Sequence, residues 1–464
     1  MPQTIEHATE IVRTLRDRGY QAYFAGGCVR DLLLDRQPAD YDVATDATPS
    51  QVMEVFPQTF AVGEQFGVVL VPFPPDDRAA RGPDGVRFPD KGAVEVATFR
   101  SDIGYSDGRH PDQVRFSKDP RQDVERRDFT INGMMLDPLG FDPSSPASTT
   151  HAILDFVGGR NDLQAGIVRA IGDPEHRFAE DKLRMLRAVR FAARFAYQIE
   201  PATMAAIQEL APQIRQVSPE RVREELTKML TEGRAGVAFQ LLDQSQLLPE
   251  VLPEIAAMKA VPQPPQFHPE GDVFVHTLLL LEKLTPGGSK TLAWGALLHD
   301  VGKPPTFRVA ADRIRFDGHV EVGVKMAAAI CRRLRFSNEE TDQILALVEN
   351  HMRFADVQRM NQSTLKKFLR LPAFNEHLEL HRMDCLSSNG QLDSYEFSRM
   401  QLHSMPPEAI RPVPLLTGRD LIEAGYKPGP RFKQLLSAVE DEQLEGRLTS
   451  HEQAIEYVRN QFPV

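Results

Sequence analysis

The chain has 464 residues, too many for one hydrophobic core, so its length divides into about three or four domains. Its 65 Asp and Glu outnumber 54 Lys and Arg, a formal net charge of −11, which speaks against a polycationic nucleic-acid binder and leaves any phosphate-binding surface to local clusters. No apolar run approaches the roughly 20 residues that span a bilayer, and Cys28, Cys331 and Cys385 are too scattered for a zinc or disulfide pattern, so a reducing cytoplasm is the expected setting.

The opening MPQTIEHATEIVRTLRDRG predicts a charged amphipathic helix without a signal-peptide core. Next comes FAGGCVRDLLLDRQPADYDVAT, from Phe24 to Thr45, which reads as a strand, a Gly26-Gly27 turn, a helix with Arg30 and Asp31, and a second strand. Strand side chains alternate faces, so Asp40 and Asp42 aim two carboxylates at one point, a donor pair suited to Mg²⁺. Two glycines ahead of a helix let backbone N–H groups approach an anion, and Arg30 adds a forked donor one turn later. A lone GG or a lone DxD is more often an ordinary βαβ turn with surface aspartates. Both at this spacing point to magnesium-assisted chemistry on a nucleoside triphosphate.

Thr48-Pro49 predicts a helix start, and strands are expected over Thr59–Phe73 and Ala93–Phe99. The stretch 74–92 between them, rich in Pro, Gly and charge, reads as an exposed hairpin insertion. Glu95 is either a third metal-facing carboxylate or a solvent-facing strand residue. TFRSDIGYSDGRHPDQVRF, with Arg100, Arg109 and Arg115 around Tyr105 and His110, is either a mobile loop over a charged substrate or a plain surface loop. DVERRDFTINGMML, Asp123 to Leu136, predicts a helix in which Arg127 offers a phosphate clamp and Asp128 an acceptor for a sugar hydroxyl.

GGCVRD with DYD, TFRSD with YSDGR, RRDFTIN, DFVGG at Asp155–Gly159, and RAIGDPEHRFAEDKLRMLRAVRFAARF at Arg169–Phe195 occur in the order seen in the class II nucleotidyltransferases. The chain resembles that family, which includes bacterial CCA-adding enzymes and poly(A) polymerases, over about its first 200 residues. The resemblance implies an α+β protein: a palm-like head with a mixed sheet, related to DNA polymerase beta, then an all-α neck, a body and a tail. The expected boundaries are 1–150 for the head, 151–260 for a helical neck and RNA- or nucleotide-binding domain, 261–400 for an HD domain, and 401–464 for a helical tail.

In EDKLRMLRAVRFAARF, Met185, Ala188, Val189, Ala192 and Phe195 gather on one helix face, with Arg184, Arg187, Arg190 and Arg194 on the other. Charge runs are usually solvated faces. Four arginines with no interleaved acid repel one another, which favours phosphate or base contact. The resemblance implies that Asp181 and Arg184 read the edge of the incoming base as a protein template, with Arg187 and Arg190 as further nucleotide contacts. Glu180 fits the same motif, or orients Arg184.

Helical patterning continues from Ile199 to about Ala260, and PQPPQFHPEG at Pro262–Gly271 reads as a linker. Beyond it, His276, His299-Asp300, His319, His351 and Asp384 occur in an order that resembles the HD metal-dependent phosphohydrolases. In that superfamily His276, His299, Asp300 and Asp384 would bind a second divalent metal, and Mn, Ni, Co or Mg suits such donors. Isolated histidines are more often core residues, and an HD fold can persist as a scaffold. In the last section Lys427, Arg431 and Lys433 either touch RNA phosphate or serve a packing role.

The resemblance therefore implies Mg²⁺-dependent addition of C and A nucleotides to a tRNA 3′ end, from CTP and ATP, with pyrophosphate released, RNA as partner and no membrane. Alternatives are a poly(A) polymerase, a partial CC- or A-adding enzyme, an HD phosphohydrolase with a nucleotide-binding head, and a noncatalytic RNA chaperone.

Overall fold

The computed structural model describes residues 2–61, 67–72, 93–104, 112–141, 152–264, 271–311 and 313–463. The fold is α+β, a mixed sheet followed by helices. Two compact units divide it, one taking in the chain to Leu226 with Gln240–Val251, the other Thr227–Phe239 with the chain from Leu252.

The strands of the first unit that matter below are β1 (Ala22–Ala25), β2 (Asp42–Thr45), β3 (Phe60–Ala61), β4 (Val68–Pro72), β5 (Ala93–Thr98), β6 (Arg100–Ile103), β7 (Gln113–Phe116), β8 (Met134–Leu136) and β9 (Ile153–Asp155). Seven of them form one sheet in the order β3-β4-β5-β2-β1-β8-β9, while β6 and β7 pair as a separate antiparallel hairpin. Within the larger sheet β2 and β5 run parallel, in a register that sets Asp42 opposite Glu95.

The helices that matter below are α1 (Pro2–Asp17), α2 (Gly27–Leu33), α3 (Pro49–Val55), α4 (Pro120–Glu125), α5 (Gly159–Ala165), α6 (Pro174–Glu180), α7 (Leu183–Phe195), α8 (Pro201–Leu210) and α9 (Pro219–Thr231). Thr48 starts α3 as expected, with a reciprocal capping box to Gln51 and Pro49 at the first helical position. The sheet core gathers Ala25, Ala44, Phe99, Val124 and Met135, on which Tyr23, Leu154 and Phe156 pack.

Two sequence expectations are corrected. DVERRDFTINGMML is not one helix: α4 ends at Glu125, Thr130–Asn132 form a single 3-10 turn, and Met134–Leu136 are strand β8 between β1 and β9. Burial decides this, because all three residues of β8 are fully enclosed and a sheet position hydrogen-bonds their backbone on both sides. Also, β2 begins at Asp42, so Asp40 and Tyr41 precede the strand; Tyr41 is buried against Phe24 with ring centroids 5.3 Å apart, and Asp40 is exposed. The insertion 74–92 and the loop residues Tyr105, Arg109 and His110 lie outside the described residues.

The second unit is built almost wholly of helices. One of its cores collects Phe354, Phe368 and Phe374. The last segment has a separate core around Leu421, Leu435, Val439 and Val458.

Candidate functional site

Strand β1 delivers the chain to Gly26, whose φ of +77° and ψ of −128° suit glycine alone, and α2 starts at once. A Cβ on Gly26 would lie 2.7 Å from Nη1 of Arg127, so this guanidinium is packed against the bare turn. Asp42 stands at the start of β2 beside Glu95 of β5. Burial, then the charges of Asp40 and Glu95, push the Asp42 carboxyl up to about 7, while Arg127 pulls the other way. Glu95 is raised too, by desolvation and by Asp40. These four groups therefore share one field, and Glu95 joins the acidic side of it.

A buried carboxylate raised by two neighbouring ones belongs to a donor set for a hard divalent cation. Asp40, Asp42 and Glu95 do not bring three ligand atoms within 4.8 Å of one another, a spacing met among the described residues only in the second unit.

Arg30 is not an open fork. Its guanidinium is 4% exposed, donates to Asp31 Oδ1 at 2.8 and 2.7 Å and to Asn132 Oδ1 at 2.6 Å, and lies over the rings of Phe191 and Phe195. It ties the GG turn to the RRDFTIN segment and to α7. Asp128 is similarly engaged: Oδ1 accepts the Phe129 N–H at 2.8 Å and Asn132 Nδ2 at 3.1 Å, and Oδ2 accepts Nε and Nη2 of Arg187 at 2.8 and 2.7 Å. Burial pushes this carboxyl up, but the Arg187 charge and these hydrogen bonds outweigh it and hold it well below the usual carboxylate range.

Three of the four arginines of α7 are likewise paired with acids, which removes the argument that this face needs a polyanion to offset its charge. Arg184 Nη1 meets Glu180 Oε2 at 2.5 Å, Arg187 meets Asp128, and Arg190 Nε meets Glu225 Oε2 on α9 at 2.7 Å. The acids are absent from the helix sequence because they come from other elements. Asp181 forms a two-point ion pair with Arg221 of α9, and its Oδ1 also accepts the Leu183 N–H at 3.1 Å. Sequence reading missed Arg221 and Glu225; no local pattern marks them, since each partner lies tens of residues away.

The second unit brings His276, His299, Asp300, His319, His351 and Asp384 together. His299 and Asp300 follow helix Lys290–Leu298, His319 opens helix His319–Arg333, and His351 follows helix Asn338–Asn350. Gly302 permits the approach: a Cβ there would sit 2.0 Å from the His319 carbonyl oxygen. Two groups bring three ligand atoms within 4.8 Å, His276 with His299 and Asp300, and Asp300 with His319 and His351. Asp300 is common to both.

The imidazoles are pre-oriented. Nδ1 of His299, His319 and His351 faces the carbonyls of Ala296, Phe316 and Val348 at 2.9, 3.0 and 2.7 Å, so each ring donates there and turns an Nε2 lone pair inward. Nε2 of His319 and His351 then confront each other at 3.4 Å, an arrangement that a cation between them relieves. Burial, then the His299 charge, lowers His351 to about 4, which keeps it neutral and able to ligate. Asp384 belongs to neither group; its Oδ1 lies 3.0 Å from His276 Nε2. Lys303 Nζ bridges Asp300 Oδ2 and Gln263 Oε1, both at 2.7 Å. The centre opens into a cavity of about 850 Å³, rimmed by Arg313, Arg315, Ser388 and Asn389.

Comparison with known proteins matches the same segments. Residues 22–169 fit the poly A polymerase head domain, 196–259 the probable RNA and SrmB-binding site of polymerase A, and 273–385 the HD domain. The chain is 36% identical over 284 residues to a CCA-adding enzyme of Lactobacillus helveticus, covering 61% of this chain and 64% of that one. It is 28% identical over 458 residues to one of Levilactobacillus brevis, covering 98% and 97%. Matches at 35% identity or above span from 54% to 64% of the curated relatives' length.

Among solved structures, the Bacillus stearothermophilus CCA-adding enzyme in complex with CTP aligns over 99% of both chains, with a TM-score of 0.70 and 26% identity. A Thermotoga maritima CCA-adding enzyme complexed with tRNA aligns over 99% of this chain and 96% of that one, with a TM-score of 0.56, and at 17% identity shares the fold alone. With its GG turn, RRDFTIN segment and α7 placed in this order, the chain is similar to CCA-adding enzymes, and residues 22–169 match the poly A polymerase head domain.

Proposed function

We infer that the chain adds C and A nucleotides to the 3′ end of tRNA, using CTP and ATP and releasing pyrophosphate. The carrying observation is the convergence of the Gly26 turn, Arg127, Asp42 and Glu95 on one spot, on a chain similar over nearly its full length to CCA-adding enzymes. Asp40 and Asp42, with Glu95 beside them, would hold Mg²⁺, which lowers the pKa of the RNA 3′ hydroxyl and offsets charge on the triphosphate. That hydroxyl attacks the α-phosphorus in line, and the bond to the leaving pyrophosphate breaks. The Gly27 N–H and Arg127 hold the triphosphate. Arg30, buried on Asp31 and Asn132, keeps the turn in place. Asp181 and Arg184 present acceptors and donors to the base edge, Arg187 sets Asp128 beside the ribose, and Arg190 ties α7 to α9.

The four-part division at about residues 150, 260 and 400 is part of this reading, as is a cytoplasmic setting. Three buried thiols and the lack, among the described residues, of a helix long and apolar enough to cross a membrane support the latter.

The test is extension of a tRNA that ends at the discriminator base, with CTP alone, ATP alone and both, read on a sequencing gel. CC with CTP, CCA with both, and no product from Asp40→Ala are expected. Long A tracts would replace this reading with a poly(A) polymerase.

A second activity, hydrolysis of a phosphate ester at the histidine–aspartate centre, is favoured by the carboxylate that Asp300 shares between two ligand groups. Mn, Ni, Co or Mg would sit there and polarise the ester phosphate. Lys303 and the cavity-rim arginines would receive its negative charge.

A further inference from the structure

Asp123 lies inside the short helix α4 and is 1% exposed. Its two oxygens are divided between consecutive arginines. Oδ1 accepts Nε and Nη2 of Arg126 at 3.0 and 2.6 Å, and Oδ2 accepts Nε and Nη2 of Arg127 at 3.3 and 3.0 Å. Two adjacent cations would otherwise repel and splay apart, so this carboxylate holds both, while Nη1 of Arg126 also lies 3.8 Å from Asp102 Oδ2. Arg127 is thereby left with Nη1 against the Gly26 turn. The backbone at Arg126 also takes part, since its carbonyl oxygen accepts Nη2 of Arg184 at 3.2 Å. The next carbonyl back, that of Glu125, accepts Nη2 of Arg177 at 2.7 Å, and Arg177 and Arg184 both pair with Glu180.

We propose that Asp123 is a positioning residue that couples the seating of the triphosphate to the choice of base. Through Arg127 it aims the guanidinium that meets the phosphates. Through Arg126 it fixes the turn whose carbonyls hold Arg184 and Arg177, and so fixes the arginine that reads the base. A nucleotide whose phosphates pull on Arg127 therefore pulls on the same carboxylate that steadies the reader. This rests on the nucleotidyltransfer reading above.

The experiment uses the full chain and single-nucleotide incorporation, CMP into tRNA lacking CCA and AMP into tRNA ending in CC. Asp123→Asn keeps the shape and removes the charge. It is expected to raise KM for CTP and ATP about tenfold, the scale of one lost charge-assisted contact, and to raise misincorporation from UTP and GTP, with KM for tRNA unchanged. In an Arg127→Met background the same substitution adds little to the nucleotide KM, because its route is already cut, yet still raises misincorporation through Arg126 and Arg184. Asp123→Glu, which keeps the charge, is expected to fold and to recover part of the nucleotide affinity, so the idea stays testable if Asp123→Asn melts.

A fall in kcat alone, with nucleotide KM and misincorporation unmoved, would show a merely structural carboxylate and overturn the proposal. So would equal, additive KM effects in the two backgrounds, or an Asp123→Glu no better than Asp123→Asn. If the unmodified chain incorporates no nucleotide at all, the nucleotidyltransfer reading itself falls.

Discussion

Arg221 of α9 grips Asp181 at two points, Nη1 to Oδ1 at 3.2 Å and Nη2 to Oδ2 at 2.7 Å. Asp181 stands between α6 and α7, outside regular helix, with no other guanidinium on its carboxylate among the described contacts. The acid proposed to read the base is thus held by a residue 40 positions later in the chain. Arg221→Met is expected to destabilise the fold by about 1–3 kcal/mol, the cost of leaving a partly buried charge without its partner. More informative is fidelity: UTP and GTP incorporation should rise relative to CTP and ATP, while KM for tRNA stays put. Unchanged base preference would rule this residue out as a support for the reader.

Gly26→Ala strikes the turn directly. The new Cβ would meet Arg127 Nη1 at 2.7 Å, and the backbone there, at φ +77°, costs a non-glycine residue about 1–3 kcal/mol. The nucleotide KM should rise as Arg127 is displaced, and thermal unfolding should shift down by several degrees. A variant with normal KM would mean that Arg127 does not meet the triphosphate.

The raised Asp42 carboxyl makes a pH prediction. Burial and the charges of Asp40 and Glu95 bring it to about 7, above its unfolded value, so the metal-free native state holds an extra proton between those values. Its contribution to stability is fully present below the unfolded pKa and is lost as pH rises through about 7. Mg²⁺ requires the ionised form, so the concentration needed for half-maximal incorporation should rise as pH falls from 8 to 6. Asp42→Asn should abolish incorporation at every pH. A Mg²⁺ requirement flat over that range would contradict the shared field of these carboxylates.

In the second unit, Mn²⁺ or Ni²⁺ should raise the unfolding temperature, because a ligand that binds only the folded state stabilises it by about 2.7 kcal/mol at a hundred times its Kd. Asp300→Asn, which removes a ligand from both groups at once, should erase that gain. It should also end hydrolysis of bis-p-nitrophenyl phosphate. Retained metal-dependent stabilisation in this variant would place the ion elsewhere.

Much of the head was legible in the residues themselves. Gly26, Asp40 and Asp42 stood out because their relations are local, a bare turn and two carboxylates two residues apart, although Asp40 precedes β2 rather than lying on it. The strand position of Met134–Leu136 was not legible, since three apolar residues carry no period and only enclosure between β1 and β9 chose strand over helix. The arginines of α7 were visible as a stripe, but their charge balance was not.

The sequence by itself determined the order of the motifs, the α+β class and the residue types at each centre, because backbone preference and side-chain spacing act over a few residues. Only the tertiary structure decided which acid meets which arginine: Asp128 with Arg187 across 59 positions, Glu225 with Arg190 across 35, Asp181 with Arg221 across 40. The same holds for the union of His276, His299, Asp300, His319 and His351. Such pairings depend on how elements pack, since a buried charge is tolerated only where packing brings its counter-charge, and spacing along the chain says nothing about that.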